Sequence, residues 1–215
     1  MRNTVLLIGA IALLSASAWA VDGQVLINQS TVMSSGGFPY HITQTGSYKL
    51  SGNLVAPLNQ QAIQIIASNV TLDLNGFNVT CNFDANYPRV FQFSCLGDGG
   101  YGVGASDVSI RNGTVTATQT GGDVDIFHSW IMDAVGFYSS FRLTVEGLHI
   151  QASATATPGI ALNVPLNSII RHNILSGTQG INRQCPSLFE GNINTTGSGG
   201  GGGVGCVYAN NIGVF

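Results

Sequence analysis

Ile110-Arg111-Asn112-Gly113-Thr114-Val115, Val145-Glu146-Gly147-Leu148-His149-Ile150, Ile170-Arg171-His172-Asn173-Ile174-Leu175 and Phe189-Glu190-Gly191-Asn192-Ile193-Asn194 are four versions of one six-residue phrase. Each opens on an apolar residue, follows it with a charge, turns through Asn, Gly or His, and resumes an apolar alternation. The charged position reads Arg111, Glu146, Arg171, Glu190, at intervals of 35, 25 and 19 residues. An interval that shrinks toward about 20 residues, with longer copies carrying inserted loops, is the pattern of a β-solenoid. The phrases sit in longer β-like runs, 63–79, 103–115, 135–150, 160–175 and 181–194, and Val207 begins another.

Stacking explains these residue types. Successive strands of a sheet lie about 4.8 Å apart, so equivalent residues become neighbours. Inward positions must then be Val, Ile, Leu or Phe, and outward like charges would repel unless they are diluted or alternate in sign. Asp73 stands where an earlier rung would fall, although the extra Leu74 before Asn75-Gly76 leaves two registers open.

Composition agrees. Of 215 residues only 8% are charged, against about 25% in an ordinary soluble domain, while 44% are apolar and the net charge is −3. High hydrophobicity with low charge excludes a disordered chain. Lys49 is the single lysine, so a nucleic-acid partner is excluded for want of a basic footprint. Twenty-nine glycines and few helix formers favour strands and turns, with helix content near zero.

Arg2, the apolar run Val5–Leu14 and Ala18-Trp19-Ala20 have the order of a secretory signal peptide cut after Ala20. The run is far short of the ~20 residues a transmembrane helix needs, and no other long apolar run follows. Residues 1–20 are thus read as a signal peptide, 21–39 as a lead-in and 40–215 as one β domain, secreted or periplasmic. Cys81, Cys95, Cys185 and Cys206 all fall in the exported part, where thiols oxidise. Local pairing, Cys81 with Cys95 and Cys185 with Cys206, is the simplest of three connectivities. Neither spacing is C-x-x-C, so no metal site is read from them.

The segments Ile42-Thr43-Gln44-Thr45-Gly46-Ser47-Tyr48-Lys49-Leu50-Ser51-Gly52-Asn53-Leu54 and Ala67-Ser68-Asn69-Val70-Thr71-Leu72-Asp73-Leu74-Asn75-Gly76-Phe77 resemble the start of bacterial secreted proteins of the pectate-lyase-like class. Val108-Ser109-Ile110-Arg111-Asn112-Gly113-Thr114-Val115 resembles the next coil of that class. The resemblance runs from about Tyr40 onward and implies a right-handed parallel β-helix; with the repeat it gives an expected all-β solenoid of six or seven coils. It specifies no activity, because this fold carries lyases, hydrolases, epimerases and non-enzymes. A lyase of the class would need calcium-binding acids and a basic residue, and a glycosidase two facing carboxylates. Adjacent aspartates and Gly-His-Gly are absent from this sequence.

Of ten acidic residues, Asp73, Glu146 and Glu190 are read as ladder rungs and Asp107 as the turn equivalent of Asn69. His172 shares a turn column with Asn112. Asp22 sits beside the cleavage site, and the other acids gather in two insertions. Residues 82–100 carry Asp84, Tyr87, Arg89 and Asp98; residues 118–134 carry Asp123, Asp125, His128, Trp130 and Asp133. Long loops on a rigid scaffold are where function usually sits, and a flat aromatic beside carboxylates suits a sugar. Asp98, Asp123, Asp125, His128 and Trp130 are therefore the expected ligand site, with a polysaccharide or surface glycan as partner and no resident cofactor. The alternative is a small lyase or hydrolase acting on an acidic polysaccharide, for which calcium would be the cofactor. Gly97-x-Gly99-x-x-Gly102 matches a dinucleotide fingerprint by letter, but no βαβ unit surrounds it.

Overall fold

The computed structural model describes residues 23–84, 93–98, 104–120, 132–137, 141–154, 159–176, 179–195 and 205–213; the signal-peptide segment lies outside them. The protein is predominantly β, built from two sheets in which every described strand pairing is parallel.

The first sheet is assembled from β1 (Gln24–Ile27), β3 (Gly46–Leu50), β6 (Val70–Asp73), β9 (Ser106–Thr120), β11 (Phe141–Ala154), β13 (Ile169–Arg171), β16 (Leu188–Glu190) and β18 (Val207–Ala209), side by side in chain order. Beyond a corner it continues as β4 (Leu54–Val55) and β7 (Asn78–Asp84), which join β9, and as β14 (Ile174–Ser176) and β17 (Ile193–Asn194), which join β11. The second sheet runs β2 (Tyr40–Ile42), β5 (Ile63–Ile65), β8 (Phe93–Gly97), β10 (Met132–Gly136), β12 (Gly159–Val164) and β15 (Gln179–Arg183). The chain thus alternates between the sheets, adding one strand to each at every pass.

Register turns the sequence repeat into columns. Tyr48, Leu72, Ile110, Val145, Ile170 and Phe189 are successive partners, all buried, and form one inward column. Leu54, Val79, Val115, Ile150 and Leu175 form another. Burying a side chain of this kind is worth about 1.5–3 kcal/mol, so the columns make the core. Between them the chain turns a corner at Asn112, Gly147, His172 and Gly191, all with φ between 55° and 64°. His172 is therefore a turn residue, as its alignment with Asn112 predicts.

The charge ladder is in register and longer than the repeat alone indicates. Lys49 pairs with Asp73, Asp73 with Arg111, Arg111 with Glu146, Glu146 with Arg171 and Arg171 with Glu190, so the sign alternates at every step. Leu74 settles the open register: it is the extra residue of its corner, fully buried, and it lies over Gly113, where a Cβ would also meet Phe77 O at 2.8 Å.

The lead-in contributes β1, which pairs with β3, and one short helix, α1 (Gln29–Ser34). The helix departs from the near-zero helix expectation. Asn28 caps it by accepting from Thr31 N at 3.0 Å while Thr31 Oγ1 accepts from Asn28 N at 2.7 Å, a reciprocal cap that offsets a helix-poor composition. Both local disulfides are present, Cys81–Cys95 and Cys185–Cys206. No helix among the described residues is long and apolar enough to cross a membrane.

Candidate functional site

The two insertions share their roots. β7 and β9 remain paired to Asp84 and Thr120, where both insertions depart, and β8 and β10 begin paired at Phe93 and Met132, where both return. The intervening residues 85–92 and 121–131 are thus anchored side by side at both ends. Asp123, Asp125, His128 and Trp130 lie outside the described residues. Asp98 follows β8, is fully buried, and its N–H donates to Gly136 O at 3.2 Å. Cys81, in β7, and Cys95, in β8, tie the two roots of the first insertion together from inside the core.

Leading up to these roots is a broad outward face. Strand alternation sends Asn78, Thr80 and Asn82 of β7 outward, beside Thr114, Thr116 and Thr118 of β9 and His149, Gln151 and Ser153 of β11. The nine positions carry hydroxyls, amides and one imidazole, with no carboxylate, lysine or arginine. Thr116 Oγ1 donates to Gln151 Oε1 at 3.5 Å, and the Gln151 amide lies 3.2 Å from the His149 ring. Neighbouring strands about 4.8 Å apart make this a regular lattice of donors and acceptors.

Several of the charged residues are paired with one another. Arg111 Nε lies 3.4 Å from Asp73, and Arg171 Nη2 donates to Glu146 Oε2 at 2.9 Å. His172 Nδ1 stands 4.0 Å from Glu146. At the opposite end of the strands, Arg142 makes a two-pronged contact with Asp107 at 2.7 Å on each oxygen. The hydrogen bonds from that guanidinium outweigh desolvation and, helped by its charge, hold the Asp107 carboxyl below its ordinary range. Among the described residues no group of three His, Cys, Asp or Glu is placed to hold a metal ion.

The alignment does not single out the feature that closes the corner in the later strands. Asn173, Asn192 and Asn211 stack in a buried or half-buried ladder. Leu148 N donates to Asn173 Oδ1 at 2.9 Å, Asn173 N to Asn192 Oδ1 at 3.0 Å, and Asn192 N to Asn211 Oδ1 at 2.8 Å. In the other direction, Asn173 Nδ2 donates to Val145 O, Asn192 Nδ2 to Ile170 O and Asn211 Nδ2 to Phe189 O. The signal available in sequence is an Asn two residues after each of Arg171, Glu190 and Ala209.

No family model matches the chain, and comparison with curated proteins and with solved structures finds no match either.

Proposed function

We propose that this protein is an exported right-handed parallel β-helix that binds a glycan without transforming it. The helix reading is supported by the two all-parallel sheets, by the chain's alternation between them and by the strong right-handed preference of parallel crossovers. Six strands in the second sheet and seven intervals between the eight side-by-side strands of the first favour six or seven coils. Export to the periplasm or beyond is supported by the signal-like N-terminus and two disulfides.

The observation that carries the binding reading is the uncharged outward face of β7, β9 and β11 running into the adjacent insertion roots. A lattice of hydroxyls and amides matches the hydroxyls of a sugar chain. In this reading Asp123, Asp125, His128 and Trp130 of the second insertion complete the site beyond that face, and Asp98 lies buried at the return of the first. Trp130 offers a ring face to sugar C–H groups, and the acids accept from sugar hydroxyls. The ladder carboxylates Asp73 and Glu146 are engaged by arginines, which favours the insertions over the ladder as the source of ligand contacts.

A glycan array, followed by calorimetry on the hits, tests the reading. Trp130→Ala and Asp125→Asn are expected to weaken binding at least about tenfold, equivalent to 1.4 kcal/mol, with the fold retained. Unchanged affinity in both variants removes the site, and calcium-dependent turnover of an acidic polysaccharide replaces the reading with catalysis.

A further inference from the structure

The outward face of β7, β9 and β11 differs in charge from the part of the same sheet across the corner. There the ladder places a charge on six successive strands, at Lys49, Asp73, Arg111, Glu146, Arg171 and Glu190. Stacking therefore does not forbid charge in this sheet, provided the sign alternates. Past the corner none of the nine outward positions of the three strands is a lysine, arginine or carboxylate. The middle row, Thr80, Thr116 and Gln151, stays polar into the next strand at Ser176. The nearby arginines are engaged elsewhere: Arg111 lies 3.4 Å from Asp73, Arg171 donates to Glu146 at 2.9 Å, and Arg142 is held by Asp107 at the far end of the strands. Among the described residues no cluster is placed to supply a bridging metal ion either.

We propose that the glycan taken by this face is uncharged: a neutral polysaccharide without uronic acid, sulfate or phosphate groups. The inference rests on the glycan reading and narrows it to one substrate class, opposite to the acidic polymer of the alternative. A carboxylate laid on this face would give up water and find no cation in return, which is costly. The chain as a whole carries a net charge of −3, so a polyanion would also meet general repulsion. A sugar hydroxyl, by contrast, both donates and accepts, and the face answers with groups that do the same, threonine and serine hydroxyls and asparagine and glutamine amides. Three strands and three outward positions cover about 10 Å by 13 Å, room for about two or three sugar units.

Calorimetric titration of the full chain with matched oligosaccharides tests it. The probes are glucan, galactan and mannan hexasaccharides, together with any neutral glycan found on an array, each paired with the same chain after its primary alcohols are oxidised to carboxylates. At low ionic strength and about pH 8, where imidazoles are uncharged, at least one neutral chain is expected to bind, and its oxidised counterpart to bind at least about tenfold more weakly. Thr116→Lys sets a cation at the centre of the face and is expected to shift the ratio of the two affinities at least about tenfold toward the oxidised chain. If circular dichroism shows that this variant disturbs folding, Gln151→Lys on the neighbouring strand is read in its place. An oxidised chain bound as tightly as its neutral parent, an array whose hits are all charged, or a preference that the lysine leaves unchanged overturns the inference while glycan binding stands. An absence of binding to every pair and to the whole array removes the glycan reading as well.

Discussion

Asn192 makes as many side-chain hydrogen bonds as its amide permits: Oδ1 accepts from Asn173 N and from Asn173 Nδ2, and Nδ2 donates to Ile170 O and to Asn211 Oδ1. Replacing it by Leu conserves volume roughly but orphans a buried N–H and a buried carbonyl, at about 1–3 kcal/mol for each. Asn192→Leu is therefore expected to lower the denaturant midpoint markedly without changing the slope, whereas a solvent-facing substitution such as Thr195→Ser should do little. This ladder was hard to read in sequence because Asn also marks turns by tolerating positive φ, and neighbouring Asn210 does that, at φ 54°. Asp107 gives a pH signature. Its carboxyl is held low by Arg142, so the contact is present above the ordinary aspartate pKa and is lost as pH falls through the lowered value. NMR titration should show Asp107 protonating below ordinary aspartates, and Arg142→Gln should bring it back up. Because both groups are exposed, the effect should weaken with salt. Residues matched by type and interval were legible, as Arg111, Glu146, Arg171 and Glu190 were; Lys49 was not, because no matching phrase surrounds it.

At the scale of elements, the open edges of the sheets need protection, since an unpaired strand edge invites aggregation. Strand β4 is protected by a side chain acting as a substitute strand: Gln29 Nε2 donates to Val55 O at 3.1 Å and Val55 N donates to Gln29 Oε1 at 3.0 Å. Helix α1 positions that glutamine, and its buried Val32 joins the core. Gln29→Ala is expected to speed hydrogen exchange at the Val55 amide while leaving the amides of the ladder strands protected, which a two-dimensional NMR exchange series would reveal. The helix escaped the composition argument because its formation depends on the Asn28–Thr31 cap rather than on propensity. The strands, by contrast, were legible from alternation. The insertions were read too wide, since 93–97 form β8, 118–120 belong to β9 and 132–134 to β10, and their common roots follow only from pairing, Asp84 with Thr120 and Phe93 with Met132.

For the whole molecule, the ladder charges and the inward columns express one constraint: a residue's neighbours are the residues one pass earlier and one pass later. That constraint made the β architecture readable from four short phrases, and it explains why function was less so, since the insertion residues proposed to meet a ligand stand outside the repeat. It also gives the molecule a direction. At each corner closed by asparagine, the backbone group in need belongs to an earlier residue and the amide that satisfies it to a later one: Leu148 waits for Asn173, Asn173 for Asn192, Asn192 for Asn211. A chain synthesised from its N-terminus therefore grows with a single unfinished corner at its leading tip. Each new pass completes the one behind it, so over this stretch an interrupted chain would be frayed at its last corner and settled at those before it, as a zip is open only at the slider.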